Sequence, residues 1–266
     1  MSLTIATWNI NSVRLRQTLL AELQTALAPD IICLQETKVP DELFPEHLAE
    51  QLGMPHLLKR GQKSYNGVAI LSRLPLTLAE DTPDWCHKSD CRHLCAHVAL
   101  PGGPLTLHNF YVPAGGDIPD RTQNEKFAHK LDFLAEVTAH FATRPPARAV
   151  LVGDLNIAPL EHDVWSHKQL LDVVSHTPLE VEALNTWQHT GWVDAVRHFV
   201  PHHQKLYSWW SYRNRDWAAS DRGRRLDHIW VTPDLVPALQ AHHILRPARA
   251  WPQPSDHVPV SVTLAL

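Results

Sequence analysis

The sequence predicts a single α/β domain over residues 1–266, on two observations. Buried-strand runs alternate with stretches of helical period along the chain. The 266 residues, 44% of them hydrophobic, are also enough to bury one large core. No Pro/Gly/Ser-rich linker, low-complexity run or fixed-period repeat divides the chain.

Taken in order, residues 3–8 (LTIATW) form a β-rich run that ends at Asn9, with Asn11 following at strand spacing. Residues 15–27 repeat apolar positions on one helical face and stop at Pro29. Residues 30–35 (DIICLQ) read as a buried strand delivering Glu36, and 67–72 (GVAILS) as another. Runs at 97–100 and 105–111 flank Pro101-Gly102-Gly103-Pro104, a hairpin signal, and the second brings Asn109 and Tyr111 to its end. The clearest helix is predicted over 123–141, with Phe127, Leu131, Leu134, Val137 and Phe141 on one stripe. A strand over 149–155 precedes two helices expected over 162–174 and 179–190. The last third is read as a strand over 226–231, a helical turn over 234–239 and a terminal strand over 258–266.

The strand at 149–155 is where chemistry begins. In VLVGDLNIAP (150–159) Gly153 ends the apolar run, and strand alternation sends Asp154 and Asn156 to one side and Leu155 and Ile157 to the other. Asn9, Glu36, Tyr111, Asp227, Asp256 and His257 likewise stand at strand ends. Singly, each has an ordinary explanation, since Asn and Asp favour turns and most Glu are solvated. Together, on one sheet edge, they would make an acidic pocket whose crowded carboxylates call for a hard divalent cation.

Composition narrows the function classes. The net charge is −4 and the pI about 6.5, so the molecule as a whole carries no basic signature. Locally, Arg213, Arg215, Arg222, Arg224 and Arg225 are interleaved with Trp209, Trp210, Tyr212 and Trp217, a mixture suited to a phosphate backbone. The first ten residues carry no basic start or long apolar run, so a cytoplasmic protein without signal peptide or membrane partner is expected. Cys33, Cys86, Cys91 and Cys95 are too few for a disulfide framework. Three of them fall in DWCHKSDCRHLCAHV, but their spacing matches no standard zinc pattern.

WNIN (8–11), LQETK (34–38), GVAILS (67–72), NFYVP (109–113), GDLNIAP (153–159), RRLDHIW (224–230) and SDHVPV (255–260) occur in a telling order and spacing. On these motifs the chain resembles the exonuclease III family of class II apurinic/apyrimidinic endonucleases, within the endonuclease/exonuclease/phosphatase superfamily. The resemblance runs from residue 3 to the C-terminus and implies a four-layered α/β sandwich, two packed, mostly antiparallel sheets flanked by helices. It also implies a Mg²⁺-dependent phosphodiesterase pocket, with Mn²⁺ as the other candidate ion. The implied substrate is double-stranded DNA, abasic or with a 3′ end, and the implied state is a monomer.

Carried over by motif position, Glu36 is the principal metal ligand, with Asn9 and Asp256 beside it. Asp154 and Asn156 serve the nucleophile and scissile phosphate, Tyr111 contacts either, and Asp227 orients His257. Asn11, Lys38, Trp209, Arg213, Arg215, Arg222, Arg224 and Leu226 are the implied DNA and substrate contacts. Three departures stand out: some relatives have Asn where Ala114 follows the YVP motif, some have Asp where this chain has Asn11, and some have an aromatic or aliphatic residue of the apolar sugar slot where it has Arg224. Phosphatases acting on inositol phosphates or sphingolipid share the Glu/Asp/His core and remain the alternative, as does a non-catalytic DNA-binding module.

Overall fold

The computed structural model describes residues 1–80 and 82–266. In chain order the first half runs β1 (Ser2–Asn9), α1 (Gln17–Leu27), β2 (Ile31–Gln35), α2 (His47–Gln51), β3 (His56–Arg60), β4 (Val68–Ser72), β5 (Leu76–Leu78), β6 (His93–Val98) and β7 (Leu105–Tyr111). There follow α3 (Glu125–Thr143), β8 (Ala149–Asp154), α4 (His167–Leu170), α5 (Pro178–Gln188), β9 (Val193–Asp194), α6 (Ala195–Phe199) and β10 (Trp209–Trp210). The chain closes with α7 (Trp217–Ser220), β11 (Gly223–Arg224), β12 (Asp227–Val231), β13 (Leu239–Ile244) and β14 (Val260–Ala265).

Two six-stranded sheets result, ordered β13-β14-β1-β2-β4-β3 and β5-β6-β7-β8-β12-β9, with β10-β11 as a small ribbon. Each sheet is mixed in the same way. One parallel pair, β1/β2 or β7/β8, lies at its centre, and every other pairing is antiparallel. A parallel pair needs a crossover, supplied here by α1 and α3.

Alternation along the strands builds the layers. Val150 and Val152 join Leu3, Ile5, Ile31, Ile70, Leu107 and Val262 in the core between the sheets. Leu151 faces the other way, with Phe110, Phe133, Leu134, Val137 and Trp187 beneath α3 and α5. On the far side Trp8, Ile10, Leu20, Leu23 and Leu34 pack beneath α1. The expected four-layered sandwich is the observed one, and α3 and α5 lie close to their predicted spans. Asn124 caps α3 by accepting from the Lys126 amide. A Thr177/Glu180 capping box with Pro178 at the first position starts α5.

The expected helix over 162–174 is not there: a 3₁₀ turn (Glu161–Asp163) and the single turn α4 replace it. Backbone bonds from Trp165 to Gly223, from Leu206 to His162 and from Ala158 to Ser175 commit this stretch to neighbouring segments instead. Asp163, fully buried, is held by Arg197 and Arg225. Strands β3, β5 and β13 escaped prediction because they are half-buried sheet edges without clean alternation.

Parallel topology sets the functional edge. The C-terminal ends of β1, β2, β7 and β8 and the N-terminal starts of the antiparallel β12 and β14 come to one rim. Asp227 stands directly opposite Asp154 in the ladder. Gly153 is required there: at φ +146 a Cβ would come 1.9 Å from the Phe110 carbonyl oxygen.

Candidate active site

A hydrogen-bonded relay crosses this rim. His257 Nδ1 donates to Asp227 Oδ2 at 2.8 Å, the tautomer following from the acceptor. Ser208 Oγ donates to the same oxygen at 2.6 Å and accepts from the Leu226 and Asp227 amides. The other face of the ring presents Nε2 to Asp154 Oδ2 at 3.7 Å. Asp154 Oδ2 accepts from Asn9 Nδ2 at 2.8 Å and Asn156 Nδ2 at 3.2 Å, while Oδ1 takes the Asn156 amide.

The Asn9 amide carries the relay into the second sheet. Its Nδ2 also donates to Glu36 Oε1 at 2.9 Å, an oxygen that accepts from Tyr111 Oη at the same distance. Glu36 Oε2 pairs with Lys38 Nζ at 2.7 Å, and Lys38 donates to Asn11 Oδ1. Asn11 Nδ2 then reaches Asp256 Oδ1 at 3.1 Å, whose other oxygen holds the Trp209 indole N–H. The amide explains one departure: Asn11 accepts from a lysine and donates to a carboxylate at once, which an aspartate beside Asp256 cannot do. Asn11, Glu36, Lys38 and Asn156 all have positive φ near 50°, so the chain bears left-handed strain where these groups meet.

Charge follows burial and neighbours. Burial opposes the His257 imidazolium, but Asp227, Asp154 and Asp256 outweigh it and push the ring up to about 10. Burial raises the Asp154 carboxyl to about 7, with Asp227 and Glu36 adding to the rise and His257 and Asn9 opposing it. Burial also works against Glu36, yet Lys38 and the Asn9 bond hold its carboxyl below the usual range. The Tyr111 phenol is raised by burial and by the Glu36 and Asp154 charges, so it stays a donor.

Beside the relay opens a cavity of about 770 Å³, lined by Glu36, Asn156, Trp209, Leu226, Asp256 and His257. Arg213, Arg222 and Arg224 line it too. Asp154, 1% exposed, lies just beneath. Arg215 is exposed and stands apart from the cavity wall, so only part of the arginine run faces it. The cysteines of 86–95 are free, and no three His, Cys, Asp or Glu of that stretch gather among the described residues.

Sequence reasoning missed Ser208, and also the buried pair in which Gln35 Nε2 donates to Asn109 Oδ1 at 2.7 Å, tying the end of β2 to β7. It missed Lys130 as well. This fully buried ammonium pairs with Glu180 and donates to the Asn156 carbonyl at 2.8 Å. Lys130 is not one of the apolar residues that define the stripe predicted for this helix, and nothing local signalled its distant partner.

Two oxygen-rich places are candidates for a cation. Asp154, Asp227 and His257 bring ligand atoms within 4.8 Å of one another, an acidic and histidine group that a metal ion would enter only by displacing the imidazolium proton. At the other, Glu36 and Asp256 open onto the cavity with hard carboxylate oxygens, and Asn9 Nδ2 bonds to Glu36 Oε1.

A sequence profile of the endonuclease/exonuclease/phosphatase family matches residues 6–257. The chain belongs to this family. Within it the chain is 31% identical to exodeoxyribonuclease III of Haemophilus influenzae over 265 residues, 95% of this chain and 96% of that protein. It is 29% identical to the DNA repair nuclease APEX1 of Danio rerio, covering 90% of this chain and 74% of that one. An AP endonuclease from Archaeoglobus fulgidus superposes with a TM-score of 0.90 at 31% identity, over 99% of this chain and 100% of that one. The 3′ phosphatase NExo from Neisseria, bound to product DNA hairpin, superposes with a TM-score of 0.89 at 29% identity, with the same coverage.

Proposed function

We propose that this family member is a DNA repair nuclease that hydrolyses phosphodiester bonds of double-stranded DNA 5′ to abasic sites and at 3′ ends. The observation that carries the reading is the Asp227–His257–Asp154 relay meeting Glu36 through Asn9 beside a cavity flanked by arginines. Residues 1–266 act as one domain, supported by the apolar core both sheets share. A monomer working in the cytoplasm suffices, and among the described residues no helix is long and apolar enough to cross a membrane.

Each group has a task. Asp154, raised toward neutrality, orients the attacking water and takes its proton. His257, kept cationic by Asp227, donates Nε2–H to a non-bridging phosphate oxygen and offsets the charge growing there. Asn156 and Tyr111 add neutral donors. Glu36, with Asn9 and Asp256, would hold a Mg²⁺ or Mn²⁺ ion, which when bound supplies charge neutralisation for the phosphate and the departing 3′ oxygen. Arg213, Arg222 and Arg215 grip flanking phosphates, with Lys38 beside Asn11 at the mouth, while Trp209 and Leu226 wall the slot for the displaced sugar.

The test is cleavage of an abasic duplex, an undamaged blunt duplex and inositol phosphates, each with Mg²⁺ and with EDTA. Metal-dependent cutting of the DNA substrates alone is expected. Turnover of inositol phosphates with inert DNA would overturn the reading.

A further inference from the structure

Arg224 sits in the cavity wall where an apolar side chain would make a better seat for a bare sugar. Its guanidinium lies 5.3 Å from the Trp209 ring centre, and Nη1 donates to the Val174 carbonyl at 3.0 Å and Ser175 Oγ at 2.8 Å. Ser175 is itself fixed, its amide bonded to both oxygens of Glu180. Glu180 is the carboxylate whose charge acts on Arg224, but it is already paired with the buried Lys130. Nη2 bonds to no described protein atom, so a partly desolvated cation keeps donors for something else.

Its position says for what. Trp209 pairs with Arg224 on one side and bridges to His257 on the other. Two strand spacings put the backbones of Arg224 and His257 roughly 10 Å apart, with long side chains on both. The two cations therefore stand on either side of Trp209 in the wall of one cavity. An uncharged deoxyribose leaves the free guanidinium donors unpaired, at a desolvation cost, whereas a phosphate oxygen satisfies them. A terminal 3′-phosphate carries more negative charge than a diester and has no sugar beyond it to collide with the guanidinium.

We propose that Arg224 is a specificity residue that tunes this site toward phosphomonoester 3′ ends over internal abasic sites. The inference rests on the nuclease reading above and ranks its substrates. Hydrolysis needs only water: the P–O3′ bond breaks, a P–O bond to the water oxygen forms, and free phosphate leaves behind a 3′-hydroxyl.

The experiment compares kcat/KM on a 3′-phosphorylated nicked duplex and on an internal synthetic-abasic duplex, for the wild type, Arg224→Gln and Arg224→Lys. Gln keeps donors for Val174 and Ser175 while removing the charge, and a thermal melt reports its folding. Loss of a charged bond to phosphate predicts a fall of about 10- to 100-fold on the 3′-phosphate for Arg224→Gln. The ratio of the two kcat/KM values should shift toward abasic incision by about tenfold or more, with Arg224→Lys restoring most of it. Equal losses on both substrates would show a grip on an internal diester and overturn the inference, as would no loss on either. Wild-type protein inert on both substrates with Mg²⁺ and Mn²⁺ would sink the nuclease reading and this inference with it; an active wild type with an unmoved ratio sinks only this one.

Discussion

His257 and His108 are both almost fully buried imidazoles, and the protein sets them to opposite charge. Around His257 stand three carboxylates, which overcome burial and raise the ring to about 10. His108 lies among Phe110, Phe141 and Trp192, with His93 Nε2 at 3.1 Å from its Nδ1, and burial lowers it to about 3. His228, donating to the Ile157 carbonyl, is likewise lowered to about 3 by burial and Arg225. The contrast teaches that burial alone makes a histidine inert, and that a paired carboxylate converts the same ring into a standing cation. Only the first kind touches the cavity.

The sharpest way to break this contrast is to remove the reactive pair. Asp154→Asn and His257→Ala are each expected to lower kcat by about 10³-fold or more, the range of acid–base and charge-stabilising groups. DNA affinity, measured by anisotropy with EDTA present, should change far less than kcat, because the arginines along the cavity supply most of the phosphate contacts. Near-normal turnover in either variant would remove it from the mechanism.

A smaller effect is expected from the partner. Asp227→Asn keeps the shape but withdraws the charge, so the His257 pKa should fall from about 10 toward its ordinary value. The wild type needs the imidazolium and should keep its activity until the pH approaches 10. The variant should lose activity on an alkaline limb displaced downward by two units or so. An unshifted pH profile would show that Asp227 only positions the ring.

Much of this edge was legible in the sequence, for a physical reason. A strand that stops at a Gly or a turn must put its next polar side chain somewhere near the rim, so Asn9, Glu36, Tyr111, Asp154, Asp227 and His257 could be read as a group before their sheets were known. The supporting residues could not. Lys130 is 50 positions from Glu180 and Gln35 is 74 from Asn109, so no local pattern announces either pair. Residues 162–174 misled because their apolar spacing suits a helix, while the ion pairs that pull Asp163 away come from Arg197 and Arg225. The arginine run was read as one surface, yet Arg224 is largely buried and Arg215 exposed, since composition does not say which way a loop side chain faces.

The two histidine classes also predict opposite limbs of the stability profile. His257 has a folded pKa above its unfolded value near 6.5, so its contribution is full below that pH and is lost as pH rises through about 10. His108 and His228 have folded values near 3, so theirs is present above about 6.5 and lost as pH falls toward 3. Melting temperature should therefore peak near neutrality and drop on both sides. His108→Phe isolates one limb. It leaves the His93 N–H unpaired, at about 1–3 kcal/mol at pH 7, but removes a ring that must shed its proton to fold. Its melting curve should fall less steeply than the wild type between pH 6.5 and 4, with kcat/KM on DNA within about twofold because His108 lies outside the cavity. An acid limb as steep as the wild type would place the acid sensitivity in the carboxylate network instead.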